Sequence, residues 1–288
     1  MTTILDGRAA RQALLPDLRA RIQKLREVPT LAIIQVGDRP DSTSFIQAKK
    51  QFAEQIGVKE NHIQLPESVT EEVLIDTVLT QNAERSVRGI IVQLPLPLKI
   101  DRDAVIDAID HKKDVDGLSP LNVKRWLEGR EDAVMPATAR GIRQLLKHYE
   151  IELFGKHVTV IGRSMLVGKP IIAMCLNENA SVTICHSKTS DLLRETKEAD
   201  LIIVAAGKPG LITAKYVKKG QIIVDVGINS VSGEKLDDEI EGLKLMGDVD
   251  FESVKEKVHA ITPVPGGVGP MTVLALFQNL IDLCERGS

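Results

Sequence analysis

The stretch VTVIGRSMLVGKP, residues 158–170, joins a run of β-branched residues to a tight turn and the start of a helix. In such a turn Gly162 lets backbone amides approach a phosphate, Ser164 offers a hydroxyl, and Gly168 lets helix and strand pack closely. The N-terminus of the helix then favours an anion. The spacing differs from the G-x-G-x-x-G fingerprint. The stretch therefore predicts a nucleotide-binding turn, with a plain strand-to-helix connection as the alternative.

Similar strand-like runs alternate with amphipathic stretches along the whole chain, which is typical of parallel sheets covered by helices. Strands are expected at 30–37, 61–65, 89–97, 157–163, 181–187, 199–207 and 221–228. Helices are expected after Asp6-Gly7 and over 42–56, 70–84, 142–150 and 271–285. Because proline lacks an amide donor, Pro16 should kink or restart the first helix.

The polar, Pro- and Gly-bearing stretch EGREDAVMPATARG marks the join between two α/β domains. We expect a catalytic domain over 1–136 and a nucleotide-binding domain over 137–270. The second should be a Rossmann-like doubly wound parallel sheet, and helix 271–288 should pack back on the first domain. Ligands of two-domain α/β proteins bind in the cleft between the domains, so we expect the site there.

Length and composition narrow the class of protein. The 288 residues, 43% hydrophobic and 27% charged, fit two soluble globular domains. A formal charge of -3 gives no electrostatic case for nucleic acid or an acidic membrane surface. The N-terminus lacks a signal-peptide layout, and no apolar run approaches the ~20 residues of a membrane span. Three cysteines without metal-type spacing favour small buried hydrophobes, a cytoplasmic location and no metal site.

The end of strand 181–187 bears on the choice of cofactor. NAD enzymes often place an acidic residue there to bind the ribose hydroxyls. Here the strand ends in CHSKT, with His186, Ser187 and Lys188 but no carboxylate. Together with Arg163 this corner suits a 2′-phosphate, which favours NADP over NAD. The alternative is that both cations are merely solvated.

Three further motifs are ambiguous when each is taken alone. QLPLP (93–97) ends a strand, since proline cannot continue a ladder, and it places Gln93 at a carboxyl end where ligands bind. KKDVDG (112–117) carries two acids that could be helix caps or turn residues. TPVPGGVGPMT (262–272) could be a connector, although its adjacent glycines also let a flat ligand press on the backbone.

These motifs, with ILDG, GRSMLVGKP, CHSKT and GDVDF, have the order and spacing of one family. The chain resembles the bifunctional methylenetetrahydrofolate dehydrogenase/methenyltetrahydrofolate cyclohydrolase family over essentially its whole length. The resemblance implies oxidation of 5,10-methylenetetrahydrofolate to the methenyl form, usually with NADP, and hydrolysis of that form to 10-formyltetrahydrofolate. It also implies tetrahydrofolate derivatives as partners, polyglutamylated forms included, and a homodimer paired through the nucleotide domain.

The same resemblance implies roles for single residues. The catalytic lysine falls on Lys49, its assisting glutamine on Gln93, and the aspartate that grips the pterin on Asp116. The implied folate contacts are Phe45, Pro265, Gly266 and Gly267. The implied cofactor contacts are Thr138 beside the nicotinamide, Gly162, Arg163, Ser164, Gly168, Ser187 and Ile228.

The chemistry fits these residues, with one departure. Hydride loss needs close stacking more than an acid or base, whereas hydrolysis needs an activated water. Lys49 is the plausible agent if burial and the substrate cation lower its pKa from ~10.4. Phe45, one turn before Lys49 on the same helix face, stands where the family normally has tyrosine.

The loss of that hydroxyl leaves other readings open. A dehydrogenase with weak or absent hydrolysis is one alternative. A catalytically idle folate- or NADP-binding protein is another, although such a binder would not need the amine of Lys49. A shikimate-type dehydrogenase would share the two-domain shape but would give no reason for QLPLP and TPVPGGVGPMT to occur together.

Overall fold

A computed structural model describes residues 2–232 and 243–286, and the chain divides into two compact units. The six-stranded unit comprises Met1–Ala13 and Thr138–Thr272. The three-stranded unit comprises Leu14–Ala137 and Val273–Ser288. The two α/β units confirm the predicted fold class.

The strands of the described part are short and are numbered in chain order. They are β1 (Thr3–Ile4), β2 (Thr30–Val36), β3 (Lys59–Leu65), β4 (Val87–Val92), β5 (His157–Ile161), β6 (Ser181–Cys185), β7 (Leu201–Val204), β8 (Ile222–Asp225), β9 (Asn229–Ser232), β10 (Leu243–Met246) and β11 (Ala260–Ile261).

The helices of the described part follow the same numbering. They are α1 (Gly7–Gln23), α2 (Pro40–Ile56), α3 (Glu71–Ala83), α4 (Arg102–Asp107), α5 (Pro120–Leu127), α6 (Ala137–His148), α7 (Gly168–Asn177), α8 (Leu192–Glu198), α9 (Phe251–Lys255) and α10 (Val268–Arg286). Helix α1 is not restarted at Pro16 but runs through it.

The sheet of the six-stranded unit has the order β1-β11-β8-β7-β5-β6, and all of its pairs are parallel. From β5 the chain adds β6 on one side and then β7 on the other. The order therefore reverses at β5, and ligands of open α/β sheets bind beside the carboxyl end of the strand at such a point. Strands β7 and β8 are almost wholly buried, as expected of apolar strands in a covered sheet. The Rossmann-like prediction is confirmed.

The sheet of the three-stranded unit has the order β3-β2-β4 and is also parallel. Its core combines the apolar residues of β2 and β4 with Leu74 and Val78 of α3. The C-terminal part of α10 packs here as well, with the rings of Phe52 and Phe277 5.3 Å apart. The side-chain amide of Asn279 donates to the carbonyls of Val115 and Met135, at 2.7 and 2.9 Å.

The limits of the units differ from the expected domains at the N-terminus. Residues 1–13 do not group with the rest of 1–136, because β1 pairs in parallel with β11, Thr3 opposite Ala260 and Ile4 opposite Ile261. A two-residue strand of this kind is too short to show a period in the sequence. The last helix begins at Val268, three residues earlier than expected, and positions 287–288 lie outside the described residues.

Candidate active site and nucleotide site

Lys49 and Gln93 meet in the three-stranded unit. Lys49 lies on α2, and Gln93 directly follows the last residue of β4. The backbone amide of Gln93 donates to the carbonyl of Ile34 at 2.8 Å, which ties this position to β2. Lys49 Nζ donates to Gln93 Oε1 at 2.8 Å, while Gln93 Nε2 donates to the carbonyl of Leu94 at 2.9 Å. The end of β4 thus fixes the position of Gln93, and the side-chain amide of Gln93 orients the amine of Lys49.

The electrostatics of this site push two ionisable groups towards their neutral forms. Burial lowers the pKa of Lys49, and the charge of Asp116 opposes that shift. Burial raises the pKa of Asp116 to about 6, with Lys49 opposing and Asp114 adding to the shift. Gln93 carries no charge, so it orients the amine without adding a negative charge that would stabilise the ammonium form. Shifts of this kind cluster at functional sites, and they make Lys49 a candidate general base.

The two acids of KDVDG have different surroundings. Asp114 is buried, and its carboxylate accepts from the backbone amide of Ser119 at 2.7 Å and from the side chain of Asn122 at 2.9 Å. It therefore holds the loop against the start of α5. Asp116 is left close enough to Lys49 for each to shift the pKa of the other. The motif taken alone did not separate these two roles, whereas the family resemblance singled out Asp116.

Phe45 lies on α2 one turn before Lys49, and its side chain is 44% exposed. It is therefore not a core residue of the three-stranded unit. An exposed ring on the same helix face as a candidate base can stack on a flat ligand.

In the six-stranded unit, the turn after β5 requires its two glycines. Gly162 has φ +134°, and a Cβ there would lie 2.2 Å from the carbonyl oxygen of Ala205. Gly168 begins α7, and a Cβ there would lie 2.7 Å from the Cα of Arg163. Any side chain at either position would collide with backbone. The turn can thus bring its amides and the start of α7 close to a phosphate, at the point where the strand order reverses.

The hydroxyl of Ser164 forms hydrogen bonds within the protein that the sequence did not predict. Its hydroxyl oxygen accepts from the backbone amides of Val167 and Gly168, at 3.2 and 3.3 Å. A hydroxyl that accepts in this way keeps its own proton to donate. Ser164 therefore stabilises the entry to α7 and can still bond an anion.

The loop after β6 is a compact turn with an exposed cation. Thr189 closes it, because its hydroxyl accepts from the amide of His186 at 2.8 Å and its amide donates to the carbonyl of His186 at 2.9 Å. Ser187, Lys188 and Arg163 are exposed, and β5 and β6 are neighbours in the sheet. A hydroxyl and two cations at adjacent strand ends suit a phosphate monoester.

The loop of Pro265, Gly266 and Gly267 lies between β11 and α10 and is held by the start of α1. The amide of Gly7 donates to the carbonyl of Gly266 at 2.9 Å. A Cβ on Gly7 would lie 1.7 Å from the carbonyl oxygen of Gly267, so only glycine fits. Gly7 thus shapes the loop 265–267, and it was not identified from the sequence as a candidate site residue. The signal that could have found it is the presence of both ILDG and TPVPGG in one chain.

The remaining expected contacts also belong to the six-stranded unit. Thr138 lies in the first turn of α6. Ile228 follows β8 and has a side chain that is 43% exposed. The structure thus brings Lys49, Gln93 and Asp116 together in one unit, while the expected cofactor positions belong to the other.

The three cysteines are buried, and none of them forms a disulfide. Burial raises the thiol pKa of Cys185 and Cys284, and raises that of Cys175 to about 12. Thiols of this kind are poor nucleophiles at neutral pH. Within residues 2–232 and 243–286, no group of three or more His, Cys, Asp or Glu side chains could hold a metal ion. No helix in the described ranges is long and apolar enough to cross a membrane.

Comparisons with known proteins agree with this geometry. The profile of the tetrahydrofolate dehydrogenase/cyclohydrolase catalytic domain matches residues 5–116, and that of the family's NAD(P)-binding domain matches residues 136–288. The bifunctional protein FolD of Exiguobacterium sp. strain AT1b is 44% identical over 290 residues and covers 100% of both chains.

Solved structures give the same result. The bifunctional FolD methylenetetrahydrofolate dehydrogenase/cyclohydrolase of Campylobacter jejuni is 42% identical, has a TM-score of 0.93 and covers 100% of both chains. The Trypanosoma brucei dehydrogenase-cyclohydrolase, complexed with NADP cofactor and inhibitor, is 35% identical with a TM-score of 0.94, covering 99% of this chain and 98% of its own.

The fold and the two sites define a two-domain α/β protein with a nucleotide-binding turn and a lysine of lowered pKa beside a carboxylate. The chain belongs to the tetrahydrofolate dehydrogenase/cyclohydrolase family. The resemblance found in its motifs is confirmed.

Proposed function

We propose that this protein oxidises 5,10-methylenetetrahydrofolate with NADP and hydrolyses the resulting methenyl form to 10-formyltetrahydrofolate. One observation carries the proposal: Lys49 Nζ is bound to Gln93 at 2.8 Å and interacts with Asp116. Family membership and relatives that are named bifunctional support both activities. A protein that only bound folate would have no use for an amine held towards its neutral form.

The oxidation step makes few demands on acids or bases. NADP, when bound, accepts the hydride that leaves the methylene bridge, and the resulting cation is shared by two nitrogens of the folate. This chain must therefore align the two rings and exclude water. Gly162 and Gly168 fit a dinucleotide-binding turn, because only residues without a side chain let this turn pack against the backbone of Ala205 and Arg163. Thr138 and Ile228 would contact the nicotinamide end.

The hydrolysis step needs a base. We assign Lys49, as a neutral amine, to take a proton from the water that attacks the methenyl carbon. Gln93 orients the amine, and Asp116 grips the pterin. The hydroxyl of the adduct then loses its proton to water as its oxygen becomes the carbonyl, and the bond to N5 breaks. N5 takes up the proton held by Lys49, and the formyl group stays on N10. The ring of Phe45 and the loop 265–267 would hold the folate.

The choice of NADP rests on the corner formed by Arg163, Ser187 and Lys188. We expect Arg163→Ala to lower kcat/KM for NADP by about 10- to 100-fold, since a charge-assisted phosphate contact contributes about 1.5–3 kcal/mol. The value for NAD should change little, because NAD lacks the 2′-phosphate. Equal losses for both cofactors would show that Arg163 does not select the phosphate.

The experiment that tests the main proposal is a paired assay on purified protein. Formation of methenyltetrahydrofolate from the methylene form with NADP measures the dehydrogenase. Decay of supplied methenyltetrahydrofolate, corrected for the uncatalysed rate, measures the cyclohydrolase. Both activities are expected, and Lys49→Met should abolish hydrolysis. A folded protein that binds NADP but shows neither activity would refute the proposal.

We further infer a homodimer that pairs through the six-stranded unit. Strand β6 forms an edge of the sheet, and exposed edges invite pairing with another strand. Ile184 on β6 and Leu176 on the adjoining α7 are exposed apolar residues, which supports a covering partner. Light scattering should give twice the 31.6 kDa mass of the chain, and Ile184→Lys should give monomers. A monomeric wild-type protein would contradict the inference.

Two finer assignments follow family membership and composition. We infer a cytoplasmic location, supported by three buried cysteines without a disulfide. We also infer that polyglutamylated folates are substrates, an expectation that rests on the family alone. KM values measured with mono- and pentaglutamate forms would test it, and equal values would remove any role for the tail.

A further inference from the structure

The motif GDVDF (247–251) has no part in the chemistry proposed above, yet its first aspartate is completely buried. Asp248 is 0% exposed, and its carboxylate accepts four hydrogen bonds. Three come from successive backbone amides, those of residues 206, 207 and 208, at 2.6, 2.8 and 2.8 Å. The fourth comes from the side-chain amide of Asn229 at 2.9 Å. A buried carboxylate is costly unless it is bonded in this way, so it fixes every group that bonds it.

Asp225, the last residue of β8, forms the other half of this arrangement. It is 3% exposed and accepts from the backbone amides of Gly227, Asp248 and Val249, at 3.0, 3.0 and 2.9 Å. We call Asp225 and Asp248 together the aspartate clamp.

Two glycines let the halves of the clamp approach each other. A Cβ on Gly247 would lie 1.9 Å from Asp225 Oδ2. A Cβ on Gly227 would lie 2.3 Å from the carboxylate carbon of Asp248. The segments DVG (225–227) and GDV (247–249) therefore interlock, each with a glycine facing the other's aspartate.

The clamp holds the two loops that leave the carboxyl ends of β7 and β8. Loop 206–208 begins beside the nucleotide turn, because the carbonyl of Ala205 is what a side chain at Gly162 would strike. In loop 227–229, Ile228 lies between Gly227, bonded to Asp225, and Asn229, bonded to Asp248. The exposed side chain of Ile228 is thus fixed from both sides at the edge of the sheet where ligands bind.

We propose that the aspartate clamp is a positioning device for the nicotinamide end of NADP, acting through loops 206–208 and 227–229. The inference rests on the proposed function, because it assigns Ile228 to the cofactor. A positioning role should affect the two activities differently, whereas a general loss of stability would lower both. Oxidation, which requires an aligned nicotinamide, depends on the clamp, whereas hydrolysis, which transfers no hydride, does not.

Asp248→Asn tests this with almost no change of shape. The amide nitrogen cannot accept, so two of the four donors would lose their partner. We expect dehydrogenase kcat to fall about 10²-fold, as small misplacements of reacting groups do. Hydrolysis of methenyltetrahydrofolate, measured without NADP, should stay within about twofold. Asp250→Asn is the matched control, since the Asp250 carboxylate accepts from Ser253 within α9, and it should leave both activities unchanged.

Asn229→Ala is a milder variant that decides the question if Asp248→Asn does not fold. It removes the bonds from this side chain to Asp248 and to the carbonyl of Met246 and leaves loop 206–208 bonded. We expect about a 10-fold loss of dehydrogenase kcat with hydrolysis unchanged. Parallel loss of both activities, or loss of neither, would overturn the positioning role. A wild-type protein without NADP-dependent oxidation would instead refute the proposed function, before any variant is made.

Discussion

Gln93→Glu tests whether the ionisation of Lys49 controls hydrolysis. The substitution keeps the size of the side chain and places a carboxylate where Lys49 Nζ now meets an amide oxygen at 2.8 Å. A negative charge beside the amine stabilises the ammonium form. Because burial lowers the pKa of Lys49 in the native protein, the variant should move that pKa back up.

The size of the shift follows from the distance. Two unit charges about 4 Å apart interact by about 4 kcal/mol at an effective dielectric constant of about 20, which also suits partly buried sites in proteins. At about 1.4 kcal/mol per unit, this corresponds to about 3 pKa units. Near pH 7 the fraction of neutral amine, and with it the hydrolysis rate, should fall by about 10²–10³-fold. The base must be deprotonated to act, so the rising limb of the hydrolysis rate should move to higher pH.

The assay is the pH–rate profile of kcat for methenyltetrahydrofolate hydrolysis, with dehydrogenase activity followed in the same preparation. Gln93→Met is the control, because it loses the bond to Leu94, as Gln93→Glu does, and also the bond from Lys49, but adds no charge. That variant should lose some rate without an upward shift of the limb. If the rising limb of the hydrolysis profile lies at the same pH in Gln93→Glu and in wild type, Lys49 is not the base. The assignment of hydrolysis to its neutral amine is then refuted.

Three further predictions concern close contacts and pH. Gly7→Ala should cost about 1–3 kcal/mol through its collision with Gly267 and raise KM for folate but not for NADP, as steady-state kinetics would show. Gly162→Ala should lower the unfolding free energy by about 2–5 kcal/mol and abolish NADP binding, whereas Gly155→Ala, with φ +69° and open space, should cost only about 1–2 kcal/mol. Burial raises the pKa of Asp225 to about 7, so its contribution to stability is complete below about pH 4 and is lost as pH rises through 7. In urea titrations the stability advantage of wild type over Asp225→Asn should therefore shrink between pH 4 and 7, by up to about 1.4 kcal/mol per unit.

The sequence predicted the parallel core of both units because long apolar runs carry their own signal. The runs at 30–37 and 157–163 became β2 and β5, and the parallel pairing of each with its neighbouring strands follows from the alternation of strands and helices along the chain. Strands β1 and β11 were not predicted. At two residues each they have no period, and their pairing joins positions that are more than 250 residues apart.

The sequence indicated where some candidate site residues lie in the fold, but not which contacts they make. Gln93 was placed correctly at a strand end, since proline in QLPLP stops the ladder. The resemblance singled out Asp116, but the role of Asp114 was not predicted, because it depends on which carboxylate meets the amide of Ser119 in three dimensions. The hydrogen bonds that the Ser164 hydroxyl accepts from the amides of Val167 and Gly168 were not predicted for the same reason.

The motifs that mark the family are, in this structure, contacts between pairs of distant segments. Gly7 of ILDG fits only against the carbonyl of Gly267, and Gly227 fits only against the carboxylate of Asp248. In each pair a glycine is required because the partner backbone or carboxylate occupies the space of its Cβ. A short motif of this kind has little meaning alone, which is why each was ambiguous in the sequence and their conjunction was specific. A substitution at Gly7 or Gly227 should therefore be partly rescued only by changes in the segment that it contacts. Double-mutant cycles should show coupling between Gly7 and Gly267 and between Gly227 and Asp248, and no coupling between residues taken from different pairs.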